Sequence, residues 1–198
     1  LRKYQEAVRA RSTEIAMALA LEVGKPLWEA KTEAQALDSK VNVTITDSFE
    51  RIKQETIKDV MPKIDGHVVY KPMGPCLVIG PFNFPCHLAN GQILAALLAG
   101  NSVIFKPSEK TIYSAQLMVE CLHAAGFPAG VINFINGTGH TSSKLTADKR
   151  IKGVFFTGSR GVGLKILENT HRDLNKLVAL ELGGKNSSII HHDTNISH

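Results

Sequence analysis

The feature that most limits the possible folds is a rhythm that begins near residue 67, where short apolar runs start to alternate with segments of helical length. Cys76–Ile79 is followed by the helical pattern Leu88–Ala99, Val103–Phe105 by Thr111–Ala125, and Val131–Ile135 by His140–Ala147. Val154–Phe156 then precedes Val162–Asn169, and two more strand-like runs, Val178–Leu180 and Ser188–Ile190, close the series. Parallel neighbours need a crossover between them, usually a helix, so the alternation predicts an α/β fold: a Rossmann-like parallel sheet with helices on both faces. The runs are too uniformly apolar for a sheet with one wet face, which agrees.

Ahead of that rhythm the chain is expected to be helical. From Leu1 to about Val23, the residues Tyr4, Val8, Ile15 and Leu19 share one face, and Gly24 and Pro26 supply a stop. A second helix is expected from Leu27 past Val43, ending before Pro62. The predicted organisation is a helical segment over residues 1–62 packing on an α/β cofactor domain over residues 63–198.

Composition excludes more than it selects. A chain of 198 residues, 43% hydrophobic and 21% charged, is long enough for a substantial core and ordinary for a soluble protein. No apolar run approaches the ~20 residues of a membrane helix. The net charge of +5 comes from Lys and Arg interspersed with acids, a mixed solvated surface rather than a nucleic-acid-binding stripe. Cys76, Cys86 and Cys121 form no CxxC pair, which suits a reducing cytoplasm. His191, His192 and His198 have no cysteine or carboxylate at ligand spacing, so exposed histidines are expected there rather than a metal. The opening Leu1-Arg2-Lys3 offers neither an initiator Met nor the apolar stretch of a signal peptide, and the chain reads as part of a longer one.

Ligands of such sheets gather where strands end and loops begin, and four loops in that position carry chemistry-bearing residues. Gly158-Ser159-Arg160-Gly161-Val162-Gly163 follows a strand and opens a helix. There, glycines let backbone N–H groups approach a phosphate, and the helix start adds partial positive charge. Its spacing is GxxGxG rather than GxGxxG, and a plain tight turn is the alternative. Lys106-Pro107-Ser108-Glu109 could clamp the hydroxyls of a ribose, or Ser108 could cap the next helix with Glu109 in its first turn. Pro81-Phe82-Asn83-Phe84-Pro85 is a stiff loop around one amide. Asn83 is either an oxyanion donor, worth roughly 3 kcal/mol in comparable sites, or a partner for turn backbone. Glu181, just before Gly183-Gly184, is either a general base for water or a salt-bridged acid at a turn.

Taken together, "PFNFP", "AGNSVIFKPSE", "FFTGSRGVG" and "LELGGK" resemble, in order and spacing, the motifs of the NAD(P)-dependent aldehyde dehydrogenase superfamily, over nearly the whole chain. "EVGKPLWEAKTE", "GPFNFPCHLANGQI" and "GSRGVG" are most similar to the branch that acts on succinylglutamate semialdehyde in arginine catabolism. The resemblance implies the aldehyde dehydrogenase fold, here incomplete, and NAD-dependent oxidation of an aldehyde, such as that semialdehyde, to the acid. A cysteine thiolate attacks the aldehyde, the adduct gives hydride to the nicotinamide, and water releases the resulting thioester. By position, Asn83 would hold the oxyanion and Glu181 would activate the water. Lys106 and Glu109 would flank the adenosine ribose, with the acid favouring NAD over NADP. Gly158, Ser159, Arg160, Gly161, Val162 and Gly163 would lie near the pyrophosphate, and Leu182 with Gly183 beside the nicotinamide. A homodimer or homotetramer, a cytoplasmic location and a small aldehyde as the partner are implied as well.

The sequence departs from that pattern in places. The family's nucleophile lies a few dozen residues after the glutamate, whereas this chain stops 17 residues beyond Glu181. Cys86 sits near Asn83 and before a helix, but the family places no nucleophile there; Cys121 is expected in a helix core, and Cys76 opens a strand. These 198 residues alone are therefore expected to bind nucleotide without oxidising aldehydes. A nucleotide-binding or scaffold protein that has shed catalysis is the alternative. Phe82 stands where many relatives have Trp or Tyr, and Lys185 where the succinylglutamate branch often has Asn.

Overall fold

The computed structural model describes residues 1–195. Its N-terminal layer is three helices, α1 (Arg2–Ala10), α2 (Ser12–Val23) and α3 (Leu27–Val43). The single helix expected up to Val23 is broken at Arg11, whose guanidinium pairs with Glu14 at 2.7 Å and with Glu120 at 2.8 Å. No glycine or proline marks this break. The stop after α2 is where the sequence puts it: Gly24 takes φ 76, a left-handed cap that a side chain would disfavour.

Past α3, a wider helical turn at Thr44–Ser48 runs into a last turn, and the helix does not continue toward Pro62. Instead β1 (Glu55–Met61) pairs antiparallel with β2 (Ile64–Val68) around Pro62 and Lys63. Every residue of β1 is exposed, so packing leaves no helical or strand periodicity to read. Lys63 has φ 64, and a register irregularity falls between Ile57 and Met61.

The rest is the α/β alternation that the rhythm predicts: β3 (Cys76–Ile79), α4 (His87–Leu98), β4 (Val103–Lys106), α5 (Ile112–Ala124), β5 (Ile132–Phe134), α6 (Gly139–Ala147), β6 (Gly153–Gly158), α7 (Arg160–Thr170) and β7 (Leu177–Leu182). The expected run Ser188–Ile190 forms no strand. The five strands lie in the order β5-β4-β3-β6-β7 and every pairing is parallel. All of β3 is buried, with Cys76 and Val78 in one core and Leu77 and Ile79 in another. The first and larger core joins the sheet to α4, α5 and the N-terminal layer; the second lies on the opposite face, against Ile166 of α7. Helices therefore cover both faces. Chain order reverses between β3 and β6, and a crevice opens at the carboxyl ends of strands at such a switch point.

Candidate active site

A cleft of about 910 Å³ lies at that point, of a size usual for small-molecule sites. Asn83, Lys106, Glu109, Gly158, Ser159, Val162, Glu181, Leu182 and Gly183 all line it. Parallel strands make this convergence geometrically natural, because each loop leaves the same edge of the sheet. Arg160 and Gly161, exposed in the first turn of α7, and Gly163 are not among the lining residues. Gly163 serves packing instead: a Cβ there would come within 2.9 Å of Leu182 Cδ2, so the missing side chain lets α7 lie close on β7.

The plainer alternative at each loop fits less well. Asn83 is exposed and its side chain makes no hydrogen bond among the described residues, so it does not serve turn backbone. Glu181 is likewise exposed and makes no ion pair among them. Ser108 does not cap α5, which starts at Ile112 after Thr111; Ser108 Oγ accepts from the Lys110 N–H instead. Gly158-Ser159 is a strand-to-helix junction rather than a plain turn, with Ser159 Oγ accepting from the Val162 N–H as the N-cap of α7.

Lys106 is buried to its tip, where Nζ donates to the Pro107 carbonyl at 2.8 Å and stands 3.8 Å from Glu109 Oε2. Burial pushes the ammonium's pKa down, and the Glu109 carboxylate opposes that. A helix N-terminus, a lysine and an exposed acid along one cleft suit a dinucleotide: backbone N–H groups can donate to phosphate, and a carboxylate can accept from ribose hydroxyls.

Two carboxylates from the N-terminal layer hold these loops. Glu33 Oε1 accepts from the backbone N–H groups of Cys86 and His87, both at 3.1 Å, at the start of α4 just after the Asn83 loop. Its other oxygen accepts from Lys25 Nζ at 2.8 Å, and that ammonium lies 3.8 Å from the centre of the Phe84 ring. Glu22 does the same for α5, which follows the Lys106 loop, accepting from the N–H groups of Tyr113 and Ser114 at 2.8 and 2.7 Å. Each acid meets the positive end of a helix. Glu22 near the end of α2 and Glu33 within α3 thus fix both loops, a role the sequence does not announce because the N–H groups they hold are 53 or more residues away.

Gln92 and Lys40, which the sequence does not single out, also line the cleft, from α4 and α3. Gln92 Nε2 donates to Thr157 Oγ1 at 3.1 Å, while its Oε1 is buried without a partner. Lys40 lies outside every motif quoted above, and Gln92 lies within "GPFNFPCHLANGQI" but bears no charge or nucleophile to single it out.

None of the three cysteines lines the cleft, and all are buried. Burial raises the Cys76 thiol to about 11 and raises Cys121 as well. Cys86 precedes α4, a position that ordinarily favours a thiolate, yet burial and then the Glu33 charge push its pKa well up. Its Sγ donates to the Ser114 carbonyl at 3.4 Å.

Among the described residues, no three of His, Cys, Asp and Glu are grouped to hold a metal. His191 bonds Asp193 at 2.6 Å, its ring centre lies 4.1 Å from that of His192 at a tilt of 50°, and His198 lies outside the described residues. No described helix is long and apolar enough to cross a membrane.

The aldehyde dehydrogenase family profile matches residues 1–198. N-succinylglutamate 5-semialdehyde dehydrogenase of Sphingopyxis alaskensis is 42% identical over 194 residues, which is 98% of this chain and 40% of that protein. An NADP-dependent enzyme of E. coli superposes with a TM-score of 0.85 at 33% identity, covering 92% of this chain and 38% of its own. An NAD-dependent aldehyde dehydrogenase of Sinorhizobium meliloti gives the same TM-score and identity, covering 92% and 36%. The chain thus spans about 40% of the length of its relatives.

Proposed function

The chain belongs to the aldehyde dehydrogenase family, and from that premise we propose that it forms the cofactor-binding part of an NAD-dependent enzyme that oxidises an aldehyde to its acid through a cysteine thioester. The observation that carries this reading is the meeting of Asn83, Glu109, Ser159 and Glu181 along one cleft at the switch point. A bound NAD would supply the acceptor for the hydride that leaves the aldehyde carbon. The chain's own part is to hold and to stabilise. Gly158, Ser159 and Val162, which line the cleft at the start of α7, would lie beside the pyrophosphate, at the positive end of that helix. Lys106 and Glu109 take the ribose, and the Glu109 charge repels a 2′-phosphate, which favours NAD over NADP. Leu182 and Gly183, which line the cleft, would stand beside the nicotinamide.

Asn83 donates its side-chain N–H to the oxygen that gains charge when a thiolate adds to the carbonyl. Glu181 takes a proton from the water that attacks the thioester, so that the acid leaves and the thiolate is restored. Because Cys76, Cys86 and Cys121 are buried away from the cleft, the thiolate comes from outside these residues. A semialdehyde such as N-succinylglutamate 5-semialdehyde is the proposed substrate, supported by the activity named for the Sphingopyxis relative. Arginine catabolism, a cytoplasmic location and a homo-oligomer belong to the same proposal. The buried cysteines also favour one second reading, a nucleotide-binding scaffold without catalysis.

The test is to supply the full-length protein with semialdehydes and with NAD or NADP, and to follow nicotinamide reduction. Glu181→Gln is expected to keep the first burst of reduction and to slow steady turnover. A variant that loses the burst yet still hydrolyses a preformed thioester refutes the role of Glu181. Full-length protein that reduces neither cofactor supports the scaffold.

A further inference from the structure

Resting on that aldehyde-oxidising reading, we propose that Lys40 is the specificity residue of the site: it pairs with a carboxylate carried by the aldehyde, and Gly91 leaves the room for that pair. The position of Lys40 is fixed by the packing of α3 on α4. Asn90 Nδ2 donates to the Leu37 carbonyl at 3.3 Å, and Asn90 Oδ1 accepts from the buried Tyr4 hydroxyl at 2.8 Å. One turn along α3 from Leu37 stands Lys40; one residue along α4 from Asn90 stands Gly91. A Cβ on Gly91 would lie 3.1 Å from Lys40 Cε and 3.8 Å from its Nζ, so the lysine tip lies across bare helix backbone. Both residues line the cleft that holds Asn83 and Glu181.

The electrostatics leave this cation for a ligand. Lys25, Lys106 and Lys176 each face an acid of the chain, Glu33, Glu109 and Asp173. Lys40 is half-buried and makes no ion pair among the described residues. The cleft's two lining acids are otherwise placed: Glu109 is beside Lys106, and Glu181 ends β7. A half-buried ammonium without an acid partner, on the wall of a substrate-sized cleft, matches a compact anion. A carboxylate at the far end of the aldehyde meets it and is kept from Glu181, which would repel it.

The experiment compares two aldehydes of equal chain length, 5-oxopentanoate and pentanal, on the full-length protein and on Lys40→Met and Lys40→Arg. The readout is the ratio of kcat/KM for the charged aldehyde to that for the uncharged one. Loss of a charge-assisted contact predicts a fall in this ratio of about tenfold or more in Lys40→Met. The fall should lie in KM, and Lys40→Arg should restore most of it. A smaller fall, a loss confined to kcat, equal losses on both aldehydes, or no rescue by arginine overturns the assignment of Lys40 while the activity stands. Unsubstituted protein that oxidises neither aldehyde removes the activity, and this assignment with it.

Discussion

Replacing Glu33 by alanine should cost this protein more stability than any exposed charge change. The Glu33 side chain is 0% exposed and that of Lys25 only 6%. Three interactions go at once: the 2.8 Å pair with Lys25 and the two 3.1 Å bonds from the start of α4. The largest loss is the one left behind, an ammonium buried against Phe84 without its counter-charge. Breaking a buried pair on one side costs about 3 to 5 kcal/mol. Glu29 Oε1, 3.6 Å from Lys25 Nζ, keeps part of the balance and sets the expected loss toward the lower end. Urea unfolding of the protein and its variants gives the number, as a shift of the midpoint at unchanged slope. Glu33→Gln keeps an oxygen for the two N–H groups but leaves Lys25 facing an amide, so it too should destabilise. Adding Lys25→Met removes the orphaned charge, and the double variant should return to within about 1 kcal/mol of the starting protein. A cost under about 1 kcal/mol for Glu33→Ala, or a double variant no more stable than Glu33→Gln alone, would rule out a buried pair that matters here.

Three other outcomes follow from the same geometry. If Glu109 meets the ribose as proposed, Glu109→Ala in the full-length protein should lower the ratio of kcat/KM with NAD to that with NADP; an unchanged ratio counts against the ribose assignment. The three buried thiols should resist a thiol reagent in the native protein and all react once it is unfolded, so one fast native thiol would contradict their burial. For Cys76 the folded pKa, about 11, is raised above the ordinary 9.0. Its contribution to stability is therefore whole below 9.0 and lost as pH climbs through about 11. Cys76→Ala should flatten the alkaline limb of a stability-against-pH curve, and an unchanged limb would exclude this source.

What the sequence reveals and what it hides divide along one physical line. A strand buried on both faces must be apolar throughout, which is why β3, β4 and β6 stand out as short runs and why the α/β class can be read directly. β1 has no buried face, so nothing selects its pattern, and it reads as the end of a helix. Ser188–Ile190 shows the converse: three residues of strand-like composition stay exposed and unpaired, since composition creates a strand only where a neighbour offers its edge. The site divides the same way. Asn83, Lys106, Ser159 and Glu181 are legible because a parallel sheet delivers every strand's carboxyl end to one edge, so chain order alone places them. Lys40, Gln92, Glu22 and Glu33 are placed by how helices cross, and a crossing is set by contacts such as Tyr4 with Asn90 and Asn90 with the Leu37 carbonyl, which join residues 53 or more apart and leave no local pattern. Residues that depend on a crossing act through distant partners: Glu33 lies 53 residues from the N–H of Cys86. The two groups should therefore respond differently to change. Substituting the exposed, unpartnered Asn83 or Glu181 should alter the proposed reaction with stability nearly intact, whereas a change at the Tyr4–Asn90 contact should lower stability and that activity together, because it moves α3 and α4 and with them Lys40.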